Sequence, residues 1–175
     1  MVLRIGELLV RRGVLTAAQR DEVLGEQTRS GRPFGDLAER LFGVCPRQVE
    51  QAWAEQYSAM VRPIDPRRSE SDPDALAIVT SRQAWQFAIL PLRFAGGELI
   101  ACTTQAHLAR ALRFAAWRVA TPVRFVLATP EHLGEALEAS YPVKGMRAQD
   151  VLHEVGKHAA TVVGDVDEFD LGEGE

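Results

Sequence analysis

The apolar positions follow two patterns along the chain, divided near residue 60. From residue 4 they recur at helical spacing. Ile5, Leu8 and Leu9 form one stripe, which predicts a short amphipathic helix over Arg4 to Arg12. Gly13 can stop it, and Thr16 suits the N-cap of a second helix from Ala17 to about Arg29. Ser30-Gly31-Arg32-Pro33 reads as a turn. A third helix is predicted over Phe34 to Phe42. Pro46, after Cys45 at the capping position, opens a fourth that runs to about Ser58. Leu24, Val49, Ala52 and Trp53 are expected to face a common core.

This stretch is one unit written twice. Shifted by 29 positions, Gly6 falls on Gly35, Leu8 on Leu37, Arg11 on Arg40, Gln19 on Gln48, Glu26 on Glu55 and Gln27 on Gln56. Glu7 against Asp36 and Asp21 against Glu50 keep the charge. Each copy is a helix–turn–helix unit, and a repeated unit buries its apolar face against its neighbour.

Residues 61–80 break the pattern. Pro63, Pro66, Pro73 and a run of charges read as a linker. Beyond it, Ser81 to Phe87 suits a short helix, Ala88 to Phe94 a strand, Gly96-Gly97 a hairpin turn and Glu98 to Thr103 a second strand. Gln105 to Trp117 is predicted helical with Leu108, Leu112 and Ala115 or Ala116 inward. Val123, Phe125 and Leu127 alternate in a third strand, and Thr129-Pro130 opens a helix to Tyr141. Val151, Leu152 and Val155 allow one amphipathic helix over 147–160. The expected fold class is α+β: an N-terminal four-helix tandem helix-turn-helix repeat followed by a small ββαβα sandwich, with helices on one face of a mainly antiparallel sheet. The expected division is 1–60 helical, 61–80 linker, 81–142 α+β, and 143–175 C-terminal helix and acidic tail.

Charge alters the picture little. The net charge is −4, yet six of the 24 acids lie in residues 165–175, which hold no base and are expected to be disordered. The remainder is nearly neutral, which gives no case for nucleic-acid binding. No apolar run has the roughly 18 residues of a membrane span, and no signal-peptide pattern opens the chain, so a cytoplasmic protein without direct membrane insertion is expected. Cys45 and Cys102 form neither a disulfide framework nor a zinc spacing. His153 and His158, five apart, sit on different helix faces, and a solvated face is the expected reading. No metal site is expected.

Enzymatic signatures are missing. There is no G-x-x-x-x-G-K-[ST], no G-x-G-x-x-G after a strand and no Gly-x-Ser-x-Gly elbow. Cys102 follows a strand with no His pairing legible, so it reads as a buried strand cysteine. The chain is not expected to be an enzyme or to hold a cofactor. The repeat carries the candidate chemistry instead. Gly6 and Gly35 lie in first helical turns where backbone can approach a flat ligand, or where helices pack closely. Arg4 can fork onto a phosphate or stack on a base. Gln27 and Gln56 offer donor and acceptor, or cap helix ends.

Arg4-Ile5-Gly6-x-x-Leu9-Val10-x-x-Gly13-Val14-Leu15 followed by Leu24-x-x-Gln27 resembles the first motif of the MshEN-type N-terminal domains of type II secretion and type IV pilus assembly ATPases. A second copy follows a five-residue spacer, and Ile89 to Tyr141 is similar to the small α+β part of the same family. The resemblance covers about residues 3 to 142. It implies one of two functions. Some members bind cyclic di-GMP through both copies; others dock on the cytoplasmic part of an inner-membrane secretion protein. Carried onto this chain, the ligand residues would be Arg4, Ile5, Gly6, Leu9, Val10, Gly13 and Gln27, with Arg32, Phe34, Gly35 and Gln56 from the second copy. The copies depart from the pattern. Arg20 replaces the usual leucine. Pro33 stands where arginine is usual, with Arg32 one residue early. Ala38 and Glu39 replace an apolar pair, and the glycine at Phe42 has moved to Gly43. The family's ATPase domain is not in this sequence, so the chain is either a fragment or a free-standing adapter or regulator; the acidic tail, read as a terminus, makes the second the expectation. The eroded second copy favours docking on a secretion or pilus machinery protein at the inner membrane, with cyclic di-GMP reception through the first copy as the alternative.

Overall fold

The computed structural model describes residues 3–151. The helix expected over 147–160 runs past that limit, and the acidic segment 165–175 lies outside the described residues.

Four helices open the chain: α1 (Ile5–Arg11), α2 (Ala17–Ser30), α3 (Phe34–Phe42) and α4 (Pro46–Met60). Local chemistry sets their ends. Thr16 caps α2, its hydroxyl accepting from the Gln19 amide while the Gln19 side chain accepts from the Thr16 amide. Gly31 and Gly43 close α2 and α3 in the left-handed conformation that favours glycine. Equivalent elements of the two copies start 29 positions apart: Ile5 and Phe34, then Ala17 and Pro46. One hydrogen bond is repeated as well: the Leu15 amide donates to Leu9 O at 3.3 Å, and the Val44 amide to Ala38 O at 3.4 Å. The copies therefore share a turn although its glycine has moved by one residue.

The helices enclose a first core of Leu8, Leu9, Leu15, Val23, Phe34, Leu37, Ala38, Val44 and Ala52. The expected common core is corrected in part. Val23 is fully buried, whereas its neighbour Leu24 is 40% exposed. Helix α4 serves two cores: Val49 and Ala52 pack into the first, while Trp53, Ala54 and Tyr57 pack against the second.

The second core surrounds a three-stranded sheet of order β1 (Leu90–Ala95), β2 (Glu98–Thr103), β3 (Val123–Leu127). Gly96 and Gly97, with φ of 60° and 81°, supply the hairpin between β1 and β2. Pro91 sits at a register shift in this outer strand, where its missing N–H is tolerated. A mainly antiparallel sheet was expected; the sheet is mixed. Strand β3 pairs parallel to β2 because α7 (Leu108–Arg118) lies between them, and a crossover helix returns the chain to the same end of the sheet. Helices on one face were also expected, but every residue from Leu99 to Thr103 is buried, so both faces of the central strand are covered. In α7 the inward residues are Leu108, Ala111, Phe114 and Ala115; Leu112, expected inside, is 40% exposed. Helix α8 (Pro130–Ser140) closes the unit, its N-cap Thr129 accepting from the His132 amide.

The segment read as a linker has structure and attachments. It holds a 3₁₀ turn at Pro66–Arg68, helix α5 (Pro73–Leu76) and, just beyond, α6 (Ser81–Phe87). The Ile64 amide donates to Leu127 O at 2.8 Å and the Asp72 amide to Leu92 O at 2.7 Å, covering both outer strands. The Tyr141 hydroxyl donates to Leu76 O, and the Trp85 indole N–H to Tyr141 O. Arg67 bridges Asp65 and Glu135, and its hydrogen bond holds the Asp65 carboxyl well below the usual carboxylate range. These attachments lead us to propose that residues 61–80 belong with the α+β half. Limited proteolysis should then spare residues 64–76; early cleavage there would restore the reading of a bare linker.

Candidate functional site

The structure sorts the eleven motif residues by depth. Leu9 is fully buried in the first core, and Gly6 and Phe34 are buried beside it. Ile5, Val10, Gly35, Gln27 and Gln56 are half-buried, while Arg4, Gly13 and Arg32 are exposed. Arg4 is the N-cap of α1, its backbone N–H donating to the Glu7 carboxylate at 2.8 Å. Gly13, with φ of 70°, ends the α1 turn and carries the chain towards α2.

The two glycines meet apolar groups from neighbouring helices. A Cβ on Gly6 would lie 2.8 Å from the Phe34 ring and 3.1 Å from Cγ of Arg20. A Cβ on Gly35 would lie 2.5 Å from Cγ1 of Val49. Arg20 and Val49 are equivalent under the repeat, so the aliphatic stem of Arg20 stands where the second copy has valine. Its guanidinium turns to Asp21 at 2.7 Å. Both glycines thus serve helix packing. Gly35→Ala should destabilise the fold by about 1–2 kcal/mol, although alanine is the better helix former, because Val49 is β-branched and held to one rotamer in a helix. Val49→Ala in the same chain should recover much of that loss in a thermal melt.

The two copies differ in charge at their openings. Copy one presents Arg4. Copy two presents Pro33, which has neither a cation nor a backbone donor. The neighbouring Arg32 pairs with Asp36 at 3.2 Å, and the same carboxylate accepts from Arg40 at 3.0 Å. Leu8, Leu9 and Phe34 are core in this structure and offer no apolar surface to a partner. Exposed large apolar residues are instead Leu24, Leu41, Met60, Ile78, Phe94, Leu112 and Trp117, the last 88% exposed on α7.

Elsewhere the chemistry is quiet. Cys102 is fully buried, and burial pushes its thiol up to about 12, so the thiolate a nucleophile needs is not formed near neutrality. Among the described residues there is no His, Cys, Asp or Glu group able to hold a metal, and no helix long and apolar enough to cross a membrane.

A cleft of about 840 Å³ between α4 and the ends of β2 and β3 is lined by none of the eleven motif residues. The sequence reading passed over it. The available signal was Thr104 and Thr129, capping residues one and two positions after apolar strands. That they lie side by side follows only from the parallel pairing of β2 and β3.

Residues 59–146, half of the chain, match the MshEN domain family, and the chain belongs to that family. It is similar to the type IV pilus assembly ATPase PilB of Myxococcus xanthus, 24% identical over 153 residues that make up 87% of this chain and 27% of that protein. To PilB of Thermus thermophilus it is 28% identical over 159 residues, 89% of this chain and 17% of that protein. The chain thus spans about a quarter or less of the length of these curated relatives. Among solved structures, MshE with cdg aligns at 26% identity and a TM-score of 0.45, covering 79% of this chain and 99% of that one. The N-terminal domain of XpsE aligns at 19% identity and a TM-score of 0.42, covering 77% and 92%.

Proposed function

We propose that this chain is a non-enzymatic regulatory or adapter domain of a type II secretion or type IV pilus-like system, docking on a protein of that machine at the cytoplasmic face of the inner membrane. The inequality of the two copies carries this reading. Cyclic di-GMP presents two equal guanines and two equal phosphates, so it asks both copies for the same contacts. Here the copies have matching helices but unmatched openings: Arg4 in one, Pro33 and an Arg32 paired with Asp36 in the other. Exposed Leu24, Leu112 and Trp117 offer apolar surface for a protein partner.

One observation favours a second reading, cyclic di-GMP reception through the first copy. The Arg4 guanidinium is exposed and in no ion pair among the described residues, ready for a bidentate bond. Calorimetric titration of the full chain with cyclic di-GMP separates the two. Docking expects no saturable heat up to about millimolar ligand. A saturable isotherm at one site would favour the second reading, and two equal sites would refute the argument from unequal copies. ATP turnover by the pure protein above a mock preparation would overturn the non-enzymatic assignment.

A further inference from the structure

We propose that the cleft between α4 and the carboxyl ends of β2 and β3 binds a phosphorylated small molecule, at a site lined by none of the eleven candidate ligand residues of the tandem motif. Three observations meet there. The first is position. Thr103 pairs with Leu127 in parallel register, so both strands end at the same edge, and each is followed by a turn that leads into an 11-residue helix. In open α/β sheets ligands sit in the crevice outside the carboxyl ends of the parallel strands, and the β2–β3 pair presents the same kind of edge here. The second is size. A volume of about 840 Å³ is in the range of small-molecule sites and exceeds what a bare ion needs.

The third is charge. Arg12, Arg47, Arg110 and Arg113 line the cleft against one lining carboxylate, Glu50. Glu50 pairs with Arg113, and Glu55 holds Arg12 at 2.5 Å. A guanidinium has five N–H donors, so a carboxylate that takes one or two positions the fork and leaves donors for a phosphate. Arg47 is exposed and has no hydrogen bond or ion pair among the described residues. Across the cleft the positive end of α8 begins at Thr129-Pro130, which adds to the field that the arginines create. Ala54, Pro63, Leu127 and Ala128 are among the apolar residues of the wall, suited to the body of an organic phosphate.

The test is calorimetry on the full chain with inorganic pyrophosphate and with ADP at low salt. Saturable binding of ADP, weakened about tenfold or more by Arg47→Ala with Arg113→Ala and unchanged by Arg4→Ala, is expected. Arg47→Glu alone, on an exposed position of α4, should also weaken binding and leaves the Arg113–Glu50 pair in place should the double variant fold poorly. The proposal is overturned if neither probe binds. Affinity indifferent to Arg47→Glu, or affinity lost with Arg4→Ala, overturns it too. Binding to phosphatidic acid vesicles but to neither soluble probe would overturn the small-molecule assignment. Because the probes contain no cyclic dinucleotide, the result stands apart from that of the cyclic di-GMP titration.

Discussion

Leu9→Ala should lower the stability of this protein by about 3 kcal/mol, seen as a fall of roughly 6–12 °C in melting temperature. Leu9 is fully buried between the helices of the first core. Truncation removes three carbons of contact and leaves a cavity that the surrounding helices can only partly close. The neighbouring backbone bonds are unaffected, since Val14 N–H and Leu15 N–H donate to the Leu9 carbonyl rather than to its side chain. The resemblance places Leu9 among ligand contacts. A side chain that met a ligand at the surface would cost less than about 1 kcal/mol on truncation. A melt changed by less than 2 °C would therefore show that Leu9 is at the surface, contrary to this structure.

If cyclic di-GMP binds, Arg4→Ala should weaken it about thirtyfold, near 2 kcal/mol. The side chain stands at the mouth of α1, exposed and outside every core contact, so its removal should leave the melting temperature nearly unchanged. The second copy cannot substitute. Pro33 brings no guanidinium, and Arg32 stands one residue early, turned towards Asp36. Pro33→Arg should strengthen binding by restoring a cation at the position equivalent to Arg4. Saturable binding that Arg4→Ala leaves intact would remove the first copy from consideration as the site.

The residues themselves determined most of the local structure. Ile5, Leu8 and Leu9 at helical spacing, Thr16 and Thr129 as caps, Pro46 as a first helical residue and Gly96-Gly97 as a hairpin all act within a few positions, so their effects are legible along the chain. The 29-residue repeat is of the same kind. It showed that α3 and α4 would copy α1 and α2, and that the second copy had lost its cation.

What the chain could not show is which faces meet. Leu24 and Trp53 are equivalent under the repeat and equally apolar, yet Leu24 is exposed while Trp53 packs against the second core. The α+β half sits against α4 and leaves the matching face of α2 open, a choice between two like surfaces that neither helix records. Leu112 and Ala111 exchange roles for a related reason: α7 crosses from β2 to β3, and the angle of that crossing decides which side of the helix turns inward. The glycines show the same division. Gly6 and Gly35 were legible as places of close approach, but only the folded chain brings Phe34 and Val49 to them. The arginine cleft is wholly tertiary. Arg12, Arg47, Arg110 and Arg113 are spread over some hundred residues. They line one cleft because α1, α4 and α7 meet at the ends of two parallel strands, and the chain's own periodicity holds no trace of that pairing.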